Sequence, residues 1–308
     1  MTAPCVERDL LELMMAYGFV PLDAVPGGNP RPLPPGRPSP VRNPARAILR
    51  LAVMSAGFQA GRTLVITGLA RAWARAGASV LLVDLDPADE LARTLLLGSA
   101  ITVDTGQLLL RAVAGGGIAE PSRTVLPGVD LIGAGGLGGD PEPLVRALAG
   151  RPTALRTALA PWLDRYDRLL VDTPTAPAAL PTAARAITDA VLALVPANNP
   201  AVPLPEDLFG VVLTRFDPAR PPAADAVAPL AGAGLLDTAV PELFGLRSPW
   251  DLVAGAGTAR ADAVFSALAA EIDARRGEGG PVPLQLPEAD RPTVVDPSRA
   301  RPRGAVLA

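Results

Sequence analysis

Residues 48–87 read ILRLAVMSAGFQAGRTLVITGLARAWARAGASVLLVDLDP. An apolar run over 48–54 leads into the loop Ser55-Ala56-Gly57-Phe58-Gln59-Ala60-Gly61-Arg62-Thr63. Beyond it Leu64, Leu69, Ala72, Trp73 and Ala76 recur near a helical period, and Gly77 stands where such a helix would end. A second apolar run, 80–83, closes on Asp84-Leu85-Asp86-Pro87. Strand, loop, helix, strand is the opening unit of a parallel α/β sheet. Its first loop lies at a helix N-terminus, where exposed backbone N–H groups favour phosphates.

The same alternation continues outward. Helical patches at 89–97, 104–114, 142–148, 154–164, 178–187, 223–231 and 259–276 are interleaved with strand candidates at 129–132, 166–172, 190–195, 210–217 and 236–240. The expectation is an α/β fold: a mostly parallel, doubly wound sheet of about seven or eight strands with helices on both faces. This domain spans 46–276. Before it, 1–20 is expected to hold a short amphipathic helix, with Leu10, Leu11, Met14, Met15 and Tyr17 on one side, and 21–45 a proline-rich linker. After it, 277–308 carries six prolines and little apolar periodicity, and is expected to be a disordered tail. The glycine-rich run at 133–139 has no well-placed ribose-binding acid downstream, so a dinucleotide role is not expected.

Composition narrows the chemistry. All 28 basic residues are arginine, and the chain has neither lysine nor histidine. A histidine-based triad, a histidine metal site and a lysine Schiff base are therefore excluded. Cys5 is the sole cysteine, which rules out an internal disulfide framework and fits a reducing cytoplasm. The net charge of −3 gives no electrostatic case for nucleic acid. No run of apolar residues is long enough to span a bilayer, and 1–20 lacks the basic and apolar regions of a signal peptide. Neither export nor membrane insertion is expected.

At the loop and three further segments the chain resembles the ParA/MinD superfamily of P-loop ATPases. The superfamily loop reads Lys-Gly-Gly-x-Gly-Lys-Thr-Thr, against Gly57-Phe58-Gln59-Ala60-Gly61-Arg62-Thr63-Leu64 here. VLLVDLDP at 80–87, YDRLLVDTP at 166–174 and GVVLTRFD at 210–217 are similar, in that order, to the superfamily's second-strand, YDxxxIDTPPG and VLNRFD-type segments. Within the superfamily the chain looks most like the BcsQ/YhjQ group, on the Trp162-containing helix before YDRLLVDTP, on LTRFDP, and on PELFGLRSP at 241–249. The resemblance covers about 46–276 of the numbering used here.

It implies a set of roles. Gly57, Gly61, Arg62, Thr63 and Leu64 would meet the phosphates of ATP, with Arg215 and Pro241 beside the base. Thr63 and Asp172 would hold Mg²⁺, and Asp84 and Asp172 would be the catalytic acids of an active enzyme. The implied function is that of a cytoplasmic accessory protein that assembles or localises a bacterial cellulose (exopolysaccharide) synthase. Its partners would be membrane-associated synthase subunits or small accessory proteins, with a homodimer as a further arrangement. No nucleic acid is implied. The tail lacks a basic amphipathic helix, so attachment to the inner membrane would come through partners.

The loop departs from its relatives where the chemistry matters. Both lysine positions are lost, as Gly57 and Arg62, and two glycines have become Phe58 and Gln59. A side chain forced to positive φ costs about 1–2 kcal/mol. A planar guanidinium does not replace an ammonium point charge inside a closed loop. The second lysine of the superfamily reaches a partner's nucleotide across a dimer, and this chain has none to offer. Loss of such a cation removes orders of magnitude from phosphoryl transfer. Weak or absent nucleotide binding and impaired or absent hydrolysis are therefore expected. Two other readings stay open: an active partitioning or positioning ATPase, and a regulatory subunit that senses nucleotide without turnover.

Overall fold

The apolar runs become strands buried on both faces, so each must be covered by helices above and below. In this computed structural model the described residues are 42–56, 60–88, 90–96, 104–115, 117–133, 140–151, 153–200, 202–205, 207–217, 219–220, 222, 224–242, 249–254 and 258–277. Contacts divide the chain into two units, and the smaller, 1–39 with 98–100, lies outside the described residues. The helix expected at 1–20, most of the linker at 21–45 and the tail beyond 277 lie outside them too.

The larger unit runs β1 (Leu49–Ser55), α1 (Arg62–Arg75), β2 (Val80–Asp84), α2 (Glu90–Leu95), α3 (Asp104–Gly115), β3 (Ser122–Arg123), β4 (Val129–Gly133), α4 (Glu142–Leu148) and α5 (Ala154–Leu159). It continues with β5 (Arg168–Asp172), α6 (Ala179–Arg185), β6 (Ala190–Pro196), β7 (Leu208–Phe216), α7 (Ala224–Gly232), β8 (Val240–Pro241), α8 (Pro249–Ala254) and α9 (Thr258–Gly277). The eight strands form one sheet in the order β3-β4-β2-β5-β1-β6-β7-β8. Only the β3–β4 pairing is antiparallel among the named strands. The expected doubly wound sheet is thus what the chain forms.

Strand alternation sorts the core into two layers. Leu49, Leu51 and Val53 of β1 and Val80 and Leu82 of β2 face α1, α2, α8 and α9, meeting Leu69, Leu91, Leu252 and Phe265. Ala52, Met54, Leu81 and Val83 face the other way, onto Leu109, Leu144, Leu155 and Leu180 of α3, α4, α5 and α6. A smaller cluster under α7 covers β6 and β7. No helix among the described residues is long and apolar enough to cross a membrane.

Three elements differ from the sequence expectation. The helix expected over 154–164 stops at Leu159, because Pro161 has no N–H to continue the ladder, and Trp162 falls in the turns that follow. The last strand pairs only at Val240–Pro241, apart from a single bridge between Leu235 and Val211. In between, the N–H groups of Asp237 and Thr238 donate to the Glu271 carboxylate at 2.7 and 2.9 Å, so they are not offered to β7. The two-residue β3 has no apolar signature to read and was not expected.

Gly68 decides how closely α1 and α9 approach. A Cβ built there would sit 2.4 Å from the Phe265 ring, nearer than any packed carbon can lie. Gly68→Val is expected to lower stability by about 2 kcal/mol, the usual scale of overpacking, despite its better helix propensity. Urea unfolding of the two proteins measures this; an unchanged midpoint would show that the interface yields freely.

Candidate functional site

The site lies at the C-terminal ends of the central strands. The order β2-β5-β1 and the register place Asp84 of β2 directly beside Asp172 of β5, with Val53 of β1 on the far side. Both carboxylates are buried, Asp172 at 1% exposure. Above them the loop from β1 enters α1 through Ala60 and Gly61, and Gly61 takes a left-handed conformation, φ +74°. Nothing lies within 4 Å of a Cβ added there, so glycine is favoured for its backbone angle and not for space. Residues 57–59 are outside the described residues, and the expected role of Gly57 lies there with them.

Arg62 is the first residue of α1, and its side chain turns down into the sheet edge. Its Nε donates to Asp172 Oδ1 and its Nη2 to Asp86 Oδ2. The Asp86 backbone N–H in turn donates to Asp84 Oδ1 at 2.9 Å, a local turn that fixes the exit from β2. The next residue, Thr63, is buried and its Oγ1 donates to Glu90 Oε2 at 3.0 Å, tying α1 to α2. One guanidinium thus stands among four carboxylates: Asp84, Asp86, Glu90 and Asp172.

This imbalance sets the protonation behaviour. Burial works against the Arg62 charge, but Asp172, Asp86 and Asp84 outweigh it and hold the guanidinium above its ordinary value. Burial pushes the Asp172 carboxyl up to about 6; Arg62 pulls it down, while Asp86 and Glu90 add to the rise. A cavity of about 860 Å³ opens over this cluster, bordered by Gly61, Arg62, Thr63, Asp86, Glu90 and Pro174.

The residues expected from the sequence separate into two groups. Gly61, Arg62, Thr63 and Leu64 border the cavity, and Asp172 and Asp84 lie beneath Arg62 at the sheet edge. Arg215 and Pro241 stand at the ends of β7 and β8, and neither borders that cavity. Arg215 holds φ +52° and pairs with Glu242 at 3.3 Å. Asp86 and Glu90 were not singled out from the sequence. Asp86 had a readable signal, being two residues beyond Asp84 and so on the same side of an extended chain. Glu90 had none, since an acid opening a helix is an ordinary complement to its dipole.

The Asp172 shift carries a sign. A folded-state value near 6, above the ordinary 3.8, means that the native protein holds the extra proton between those limits. Stability from this group is present at low pH and is lost as pH rises from about 4 to about 6. Relative to wild type, Asp172→Asn is expected to gain stability across that window. Urea midpoints of both proteins at a series of pH values check this, and parallel profiles would contradict it.

Many solved structures are similar to this chain, and three are compared with it. One is cobyrinic acid a,c-diamide synthase from Mycobacterium smegmatis with bound ADP and magnesium, 20% identical, with 78% of this chain and 100% of that one covered and a TM-score of 0.55. Another is a ParA family ATPase from Chlorobium tepidum TLS, 16% identical, covering 72% and 98%, TM-score 0.53. The third is pNOB8 ParA bound to nonspecific DNA, 15% identical, covering 75% and 100%, TM-score 0.50. At such identities these likenesses speak to the fold, which is that of the ParA/MinD-type P-loop ATPases. No curated protein matches the chain. The family described as "Cellulose biosynthesis protein BcsQ" matches residues 48–205, which include β1, the loop, α1 and both buried aspartates. Because that match takes in more than half of the sequence, the chain belongs to the BcsQ family of cellulose biosynthesis proteins.

Proposed function

We propose that the chain is an accessory protein of a bacterial cellulose synthase complex, acting in its assembly or localisation through protein contacts and not through nucleotide turnover. Family membership supports the pathway. The observation that carries the mechanism is the seat of Arg62, bonded to both Asp172 and Asp86.

Magnesium and ADP are named for the Mycobacterium smegmatis structure, and the residues here do not fit that pair as arranged. Asp172, which would meet a metal, is already bonded to Arg62, and the Thr63 hydroxyl is directed to Glu90. A nucleotide adds several negative charges to a site where acids already outnumber the cation four to one. No lysine exists anywhere to offset them. In this reading the chain works in the cytoplasm and reaches the inner membrane by its contacts with synthase subunits. The acidic net charge and the lack of lysine weigh against DNA as a partner.

A nucleotide-sensing subunit is the second reading, favoured by the cavity that persists over the loop. It predicts saturable ATP binding that Arg62→Ala abolishes.

Calorimetry with Mg·ATP, phosphate release, and co-purification with the synthase catalytic subunit in nucleotide-depleted extract separate these readings. The expected result is co-purification without nucleotide. Phosphate release should fall at least on the order of 10³-fold below a ParA/MinD-type ATPase that keeps both loop lysines, assayed alongside. Rapid magnesium-dependent turnover, or association that requires ATP, would overturn the proposal.

A further inference from the structure

We infer that Arg62 is a resident counter-ion, a latch that fills the cation position of this site from within the chain and keeps its acids from recruiting a divalent metal. The inference deepens the reading above and rests on it for biological meaning, but its chemistry stands on separate observations.

The contacts of Arg62 and its neighbour tie the start of α1 to three segments that meet at the C-terminal end of the sheet. Nε holds the end of β5 through Asp172, Nη2 holds the exit of β2 through Asp86, and Thr63 next to it holds the start of α2 through Glu90. Asp86 passes the constraint to Asp84 through its backbone N–H. A divalent cation does this work in carboxylate sites by drawing acids from several segments onto one positive centre. Here the positive centre is covalently tethered at the first residue of a helix, so it is always present at high local concentration. Its side chain is 14% exposed, and that of Asp172 is 2% exposed. Among the described residues no group of acids, histidines or cysteines is arranged to hold a metal ion.

The geometry also separates a latch from an ordinary surface ion pair. An exposed pair contributes little, whereas removing one partner of a buried pair leaves an uncompensated charge. Asp172 would be that charge, with Asp86 and Glu90 acting on it and Asp84 beside it by register. At low pH a proton answers this charge; above the range in which that carboxyl titrates, the acids are expected to capture a cation from solvent at the place the guanidinium left.

The test uses the full chain and Mn²⁺ alone as probe. Arg62→Ala is expected to melt about 6–10 °C below wild type. At about 1 mM Mn²⁺, in the range where weak carboxylate sites fill, it should recover several degrees and give an immobilised Mn²⁺ signal by electron paramagnetic resonance. Wild type should show neither effect, and Asp172→Asn added to Arg62→Ala should abolish both. If Arg62→Ala does not fold, Arg62→Gln removes the charge with less loss of packing, and the same comparison applies. A neutral variant indifferent to Mn²⁺, or a wild type that binds Mn²⁺ as tightly as the variant, would overturn the latch. Co-purification with the synthase subunit is scored separately. Gained Mn²⁺ binding without co-purification sustains the latch and sinks the proposed function, and the reverse result sinks the latch alone.

Discussion

A carboxylate buried at the end of a central strand needs positive charge beside it, and in this chain only arginine can bring that charge. Asp172 has that position by register, between β2 and β1, and no lysine or histidine exists to answer it. The answer comes from Arg62, which can reach because Gly61 turns the loop sharply into α1. A lysine would offer one compact charge; the guanidinium fork offers separate nitrogens to two acids on two segments. The same property that makes arginine a poor stand-in for a phosphate-binding lysine makes it a good tie between β5 and the exit of β2.

The opposite end of β5 is held with comparable care. Asp167, just before the strand, is buried and accepts from the Ser79 N–H, the Ser79 hydroxyl and the Asn43 N–H at 2.9–3.1 Å. Arg168 then pairs with Asp273 of α9 at 2.8 Å while its guanidinium lies over the Trp73 ring. Between these charges Leu169, Leu170 and Val171 are almost wholly buried. The segment DRLLVD is therefore an apolar strand with a polar anchor at each end. Its lower anchor fixes where the chain enters the domain, and its upper anchor fixes the loop. Misplacing this strand by one residue would put both acids on the wrong face of the sheet.

Much of this was legible before any coordinates. Apolar runs ending in acids gave the strands, and the altered loop Gly57-Phe58-Gln59-Ala60-Gly61-Arg62 gave the departure from the superfamily. The position of Asp172 at a strand end was legible as well. What could not be read was the destination of the Arg62 side chain. That depends on strand order, which places Asp86 and Asp172 within reach of one guanidinium although they are far apart in sequence. The helix around Trp162 was misjudged because apolar periodicity continues past Pro161, while the hydrogen-bond ladder does not. The expected strand at 236–240 failed for a different reason, since Glu271, distant in sequence, takes the amides that a strand would have used.

That last contact has a consequence for how the molecule meets its neighbours. With its amides diverted to Glu271, the chain leaves β8 only two residues long at one margin of the sheet, and the antiparallel β3 is equally short at the other. A long strand at either margin would present a row of free amides and carbonyls to any passing extended peptide. Such brief margins give a second chain little to zip onto, which protects a protein this rich in alanine, leucine and valine from edge-to-edge aggregation.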